Sequence, residues 1–250
     1  MDAALRIVTF VALAGLMFIP LERLFGRAQS RSGRLTDLGF ATLGELLVLA
    51  ALVTIGATAL AALDVVAVED PIFVGIHHSS GRKVAEVAVG LFVFELVGYA
   101  YHRAAHRVPA LWRLHRVHHS SGSMDWLASF RQHPLEILLV TLAQNAPLVL
   151  VGLPLGAHVM VLLLLKLNTV FVHANIVGRM GWWRHLVATP HFHHRHHQQH
   201  GAARNYAAMF PWLDRMFGTF EAETAGPVGL PEPTPAGFWG LLAMPFRRLR

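Results

Sequence analysis

Five apolar runs divide the chain, at residues 5–21, 38–63, 84–101, 135–153 and 155–172, with polar and charged stretches between them. Runs of this length read as membrane helices, since crossing a bilayer takes about 20 residues at a rise of 1.5 Å each. The first run is followed by Glu22, Arg23, Arg27, Arg31 and Arg34 and ends in Phe18-Ile19-Pro20. A signal peptide carries its charge before the apolar core and a small-residue cleavage site after it, so this run is read as a retained helix. Glu45 is the one interruption near the start of the second run, and Lys166 lies in the fifth, about two turns from its end. The lysine is read as snorkelling to the interface. Gly152-Leu153-Pro154-Leu155-Gly156 is a turn signal that makes the last two runs a helical hairpin.

Charge between the runs sets an orientation. With segment 22–37 inside, alternation puts 64–83 outside, 102–134 inside, the 152–156 turn outside and everything after His173 inside. The inside segments then hold four, five and eight Arg or Lys, and the outside loop two. That bias favours the cytoplasm for the inside segments. The chain is 54% hydrophobic and 14% charged, which excludes an ordinary soluble globule. Its net charge of +6 sits at the ends of apolar runs, not in one basic stripe, so nucleic acid is not an expected partner. The expected fold is an all-α integral membrane bundle of four to five membrane helices with a cytosolic histidine-rich cap, in the inner (cytoplasmic) membrane. Residues 1–83 form the N-terminal membrane part, 84–220 the catalytic domain and 221–250 a proline-rich tail with an interfacial end.

Histidine carries the chemistry. His102, His106, His115, His118 and His119 fall within eighteen residues, and His193, His196 and His197 repeat the H-x-x-H-H spacing. On a helix, residues three and four apart share a face, so each H-x-x-H-H motif is expected to present a three-imidazole face and the set to hold two metal ions. Imidazole suits iron, zinc, copper and nickel better than calcium or magnesium. With no cysteine, a metal must be bound through nitrogen or oxygen. His173, at the inner end of the fifth run, would join from the bilayer side. His77, His78, His158 and His185 are read as ordinary surface or core residues, while His191, His194 and His200 are ambiguous. Glu95 and Tyr99 lie on one helical face with His102 and His106; Glu95 is expected to support a ligand or to sit in a buried network, with Tyr99 as another polar member of that face, and His133, which lies with Arg131 and Glu136 where the chain re-enters the membrane, is read as a supporting donor in preference to a ligand. A lipid chain is expected to enter sideways between the third and fifth runs, past Val97, Gly98, Leu167, Thr169 and Val170. After Phe220 a proline-rich stretch leads to aromatics and arginines. That end suits the membrane interface, and packing on the cap is the alternative.

The ordered text His102-Arg-Ala-Ala-His106, His115-Arg-Val-His118-His119, Arg131-Gln-His133-Pro-Leu-Glu136, His173-Ala-Asn175, His193-His-Arg-His196-His197, Asn205-Tyr206 and Asp214-Arg-Met-Phe217-Gly218-Thr219 resembles the fatty acid hydroxylase and sterol desaturase superfamily over about half the chain. Ala207 stands where that family usually has glycine. The resemblance implies two iron ions, O2 as co-substrate and oxidation of an unactivated lipid C–H bond. It implies His102, His106, His115, His118, His119, His173, His193, His196 and His197 as ligands, with Glu95, Tyr99, His133 and Asn175 behind them. Zinc fits imidazole by affinity and could replace iron, but has no redox chemistry. No flavin or nicotinamide fingerprint is present, so electrons must come from a partner of ferredoxin or cytochrome type. A carotenoid-type hydroxylase and a histidine-rich metal transporter are the alternatives; a transporter should place its ligands near the bilayer midplane.

Overall fold

The computed structural model describes residues 2–29, 33–63, 80–150, 159–178, 180–222 and 226–247. Among them the regular structure is helical: α1 (Ala3–Phe25), α2 (Arg34–Gly39), a π-turn at Phe40–Gly44, α3 (Glu45–Leu63), α4 (Ser80–Ala105), α5 (Pro109–His115), α6 (Pro134–Leu150), α7 (Val159–His173), α8 (Pro190–His196), α9 (Pro211–Met216) and α10 (Gly237–Ala243). Four of these, α5, α6, α8 and α9, start at a proline. The ring fixes φ near the helical value and lacks an N–H that the first turn would leave unpaired. Thr189 adds a cap to α8, its side chain accepting from Phe192 N–H.

Three helical stretches are long and apolar enough to cross a bilayer: Ala3–Phe25, Arg34–Ile55 and Val84–Ala105. The described parts of α6 and α7 have 17 and 15 residues, roughly 25 and 22 Å against a hydrocarbon core of about 30 Å. The turn expected at 152–156 lies outside the described residues, as do His77, His78 and His158. Glu45 and Lys166, which the sequence leaves as separate polar residues in two spans, meet at 2.5 Å. The sequence alone, which reads the lysine as snorkelling, does not reveal this partner. A charge in a span is costly unless partnered, and each supplies the other's partner.

Helix ends gather in one layer. Phe25 O, at the end of α1, accepts from Val177 N–H just beyond α7 at 2.8 Å. Asp37 of α2 pairs with Arg131, which precedes α6. Glu22 Oε1 accepts from Trp126 N–H at 2.7 Å and from Asn175 N–H at 2.9 Å. Beneath this layer Val11, Ala14 and Phe18 of α1 pack with Trp126, Leu127, Phe130, Val170 and Ala174. Gly15 lets the Trp126 ring approach, since a methyl there would lie 3.3 Å from it. The tail returns to this layer. Phe238 of α10 meets Phe40 with ring centroids 4.8 Å apart, Arg116 pairs with Glu232 at 3.0 Å, and Trp239 and Phe246 stay exposed.

Candidate metal centre

Above the membrane layer, nine imidazoles converge in two groups, within each of which the ligand atoms lie within 4.8 Å of one another. One contains His102, His106, His115, His119 and His196; the other contains His118, His173, His193 and His197. The motifs therefore do not each face one ion, as their spacing had suggested. Each gives its i and i+4 members to one group and its i+3 member to the other. At about 100° per residue, i+4 lies roughly 40° to one side of i and i+3 roughly 60° to the other, so a helix edge between two sites splits the three. In the first motif a break assists: α5 stops at His115, and His118–Ser120 forms a separate 3-10 turn.

The imidazoles meet through Nε2. In the first group the contacts are His102–His115 3.1 Å, His115–His119 3.2 Å, His119–His196 3.1 Å and His106–His196 3.1 Å. In the second they are His118–His173 3.1 Å, His173–His193 3.0 Å and His193–His197 3.1 Å. Five Nδ1 atoms face oxygens that fix the tautomer. His102 donates to Tyr206 O at 2.6 Å, His118 to Arg131 O at 3.2 Å, His173 to Thr169 O at 2.7 Å and His196 to Arg204 O at 2.8 Å, while His115 donates to the Glu136 carboxylate at 2.5 Å. With the proton on Nδ1, each of these Nε2 atoms presents a lone pair to its neighbours. Such a ring of acceptors repels itself unless a cation sits at its centre, and a bond of about 2.1 Å to a shared ion puts neighbouring ligands roughly 3.0–3.4 Å apart. The clusters therefore fit metal ions. Burial reinforces the neutral state: it pushes His115 down to about 3, and it pushes His118, His119, His193, His196 and His197 well below their ordinary value, with neighbouring histidines adding to the shift.

The residues expected to support the ligands are engaged elsewhere. Glu95 accepts from Met209 N–H at 2.9 Å, and the Tyr99 hydroxyl pairs with Thr219 at 2.7 Å. His133 binds Leu242 O at 3.1 Å, and the Asn175 side chain donates to Arg27 O at 2.7 Å. None of the four hydrogen-bonds a clustered imidazole; each ties helices or loops around the site. The oxygens on the imidazoles belong mostly to the backbone, which residue identity does not reveal. Glu136 is the exception, and its place in the Arg131-x-His133-x-x-Glu136 text was the available signal. Asn205 matters more than its motif indicated. It sits at φ 58, in a left-handed conformation that asparagine tolerates. Its side chain holds Phe192 O, Glu221 O and Glu221 N–H, and its two neighbours, Arg204 and Tyr206, turn their carbonyls onto His196 and His102. Ala207 is accommodated, fully buried with its N–H on Asp214 Oδ2 at 2.8 Å. His194 binds His173 O at 3.1 Å and belongs to neither group. His191 and His200 are also outside both, and His185 contacts Arg215 at 3.1 Å.

A cavity of about 150 Å³ opens beside the imidazoles between α4, α6 and α7, lined among others by Gly98, Val140, Gln144, Thr169 and Val172. Gly98 and Thr169 were expected here. Leu167 and Val170 instead pack against α1 and the Trp126 turn, and Val97 is not in the lining.

The fatty acid hydroxylase family profile matches residues 87–219, more than half the chain and every one of the nine clustered histidines. The chain belongs to the fatty acid hydroxylase family. Among relatives, the ornithine lipid hydroxylase OlsE of Rhizobium tropici is 30% identical over 168 residues, 65% of this chain and 51% of that protein. Alkylglycerol monooxygenase of Homo sapiens is 32% identical over 138 residues, 54% of this chain and 31% of the relative. A Delta(7)-sterol-C5(6)-desaturase of Nicotiana tabacum is 29% identical over 144 residues, 54% of this chain and 49% of the relative. The chain thus spans about half the length of these relatives, or less. No solved structure matches it.

Proposed function

We propose that this chain is a membrane-bound di-iron oxygenase that hydroxylates or desaturates a C–H bond of a lipid, using O2 and electrons from an external donor. The observation that carries the reading is the pair of converging all-nitrogen clusters beside a cavity between membrane helices. His102, His106, His115, His119 and His196 would hold one ion, and His118, His173, His193 and His197 the other. Iron bound there supplies the redox chemistry with O2 that breaks an unactivated C–H bond. The protein's part is to hold the ions and to place the lipid. The carbonyls of Arg131, Thr169, Arg204 and Tyr206 orient the imidazoles, and such outer partners commonly raise metal affinity 10–100-fold. The cavity lets a lipid segment reach the ions without leaving the apolar layer, where exposing each CH2 to water would cost about 0.8 kcal/mol. A ferredoxin or cytochrome-type donor would dock on the arginine-rich cytoplasmic face. A transporter reading is disfavoured, because the imidazoles form closed clusters at the helix ends and not a path through the midplane.

The test is lipid profiling of cells with and without the gene, together with cells expressing His118→Ala. A lipid that has gained one oxygen, or lost two hydrogens, only in cells with the unaltered gene supports the proposal. Identical profiles in all three, with the unaltered protein present and metal-loaded in the cells that carry its gene, would contradict it.

A further inference from the structure

The segment after Asn205 runs back from the imidazoles along α4. Tyr206 O holds His102 at 2.6 Å, Met209 N–H donates to Glu95 Oε2 at 2.9 Å, and the Trp212 ring stacks on Phe92 with centroids 6.0 Å apart and planes 6° apart. Glu95 and Phe92 precede His102 by seven and ten residues, about 10 and 15 Å along a helix. Both lie inside Val84–Ala105, a stretch long and apolar enough to cross a bilayer. From α7, Asn168 Nδ2 donates to Ala208 O at 2.9 Å. These rungs carry α9 down to the level of the spans, where Phe92 is itself an exposed residue of α4.

The turn Gly181–His185 is tied to the same level. Arg215 of α9 reaches His185, with Nη2 3.1 Å from Nδ1, and Ala188 N–H donates to Met209 O at 2.7 Å. None of the five residues of the turn is buried. Trp182 and Trp183 stack with centroids 4.2 Å apart and are 59% and 55% exposed; Leu186 and Met216 are exposed as well. Exposed apolar patches of this kind mark contact surfaces, and tryptophan gathers where a membrane meets water, its ring among the headgroups. Arg184 and Arg215 line a groove of about 410 Å³ together with His185, Phe192 and Phe220. The Arg215 guanidinium lies over the Phe220 ring, 4.2 Å from its centre. Among the described residues no carboxylate lines this groove. Guanidinium groups bind phosphate through paired N–H donors, and the rings beside them leave an apolar surface for the chains of a lipid.

We propose that the Gly181–His185 turn and the exposed side of α9 form a foot that rests in the headgroup layer, with Trp182 and Trp183 inserted and Arg184 and Arg215 on the phosphate of an anionic lipid. The occupant is the membrane around α4 and α7, because the foot continues their surface at Phe92 and Asn168. It would hold a phosphate-bearing lipid beside the segment whose Tyr206 and Ala208 wall the cavity at the imidazoles. The foot does not depend on what the centre oxidises.

The chain has no cysteine, so a nitroxide can be attached at one introduced cysteine in the full-length protein, in nanodiscs of phosphatidylcholine and phosphatidylglycerol. A label at Trp183→Cys should collide with O2, which concentrates in lipid, more than with a water-soluble nickel chelate. Leu16→Cys, on the exposed side of α1, gives the lipid reference, and His200→Cys, exposed beyond α8, the water reference. A Trp183→Cys label that matches the water reference would overturn the proposal. The phosphate contact is read separately, by native mass spectrometry of the whole protein in detergent titrated with phosphatidylglycerol and with diacylglycerol of the same chains. Arg184→Gln and Arg215→Gln should each weaken the first bound phosphatidylglycerol about fivefold and leave diacylglycerol unchanged. Unchanged phosphatidylglycerol binding in both variants, or equal loss of the two lipids, would overturn the arginine site.

Discussion

His118 and His119 are neighbours in sequence and belong to different groups, as are His196 and His197. Adjacent substitutions should therefore remove different ions. Elemental counting on purified protein should fall from about two metals per chain to about one for His118→Ala and for His119→Ala, and to near zero for the double variant. Loss of both metals from either single change would show that the groups fill as one site. The identities of these imidazoles were legible in the sequence because i, i+3 and i+4 spacing is a strong signal. Their allocation was not, because a three-residue motif read on one helix suggests one face, whereas here the boundary between the sites passes through it. Glu95 and Tyr99 sit in a buried network beside the site and not against its imidazoles. They share a helical face with His102, but a common face gives direction and not contact, and their oxygens reach Met209 and Thr219 instead.

At the scale of elements, an ion pair ties Glu45 on α3 to Lys166 on α7. Removing one partner leaves the other charge stranded, whereas replacing both leaves none. Glu45→Gln and Lys166→Met should each lower the thermal midpoint in detergent more than the double variant does, with a coupling of roughly 1–3 kcal/mol. Strict additivity would mean that the pair contributes nothing to how α3 and α7 associate. The apolar runs gave the helices themselves, since period and length need no partner to be seen. The pairing was hidden, because a sequence separation of 121 residues leaves no local pattern. The tail was ambiguous for a related reason: Phe238 and Trp239 are adjacent aromatics, and only contact with Phe40 separates the packed one from the exposed one.

For the whole molecule, burying so many neutral imidazoles makes stability depend on pH. Burial lowers their folded pKa values, so the unfolded chain binds protons first as pH falls. The metal-free protein should keep this contribution above about pH 6.5 and lose it progressively below, toward the lowered values near 3. Its thermal midpoint should drop between about pH 7.5 and pH 5.5, and metal-loaded protein should drop less because ligation competes with protonation. Equal curves for the two forms would contradict this. The arginine bias makes a second whole-molecule prediction. A reporter active only in the cytoplasm should work when fused after Arg34 or Phe220 and fail after Asp70. The reverse pattern would place the imidazoles on the far side, away from cytosolic electron donors.

The splitting of the second H-x-x-H-H motif between the two groups bears on how the protein is made. His196 belongs to one group, and His193 and His197 to the other, so neither ligand set is complete until that motif has left the ribosome. The carbonyls of Arg204 and Tyr206, and the asparagine that turns them, emerge later still. The membrane helices through α7 are therefore synthesised and inserted while the centre they will carry does not exist. Completion of both clusters is thus a late event of synthesis, joining the last part of the chain to helices already made. A chain interrupted after α7 would keep four of the five imidazoles of the first group but only two of the four of the second.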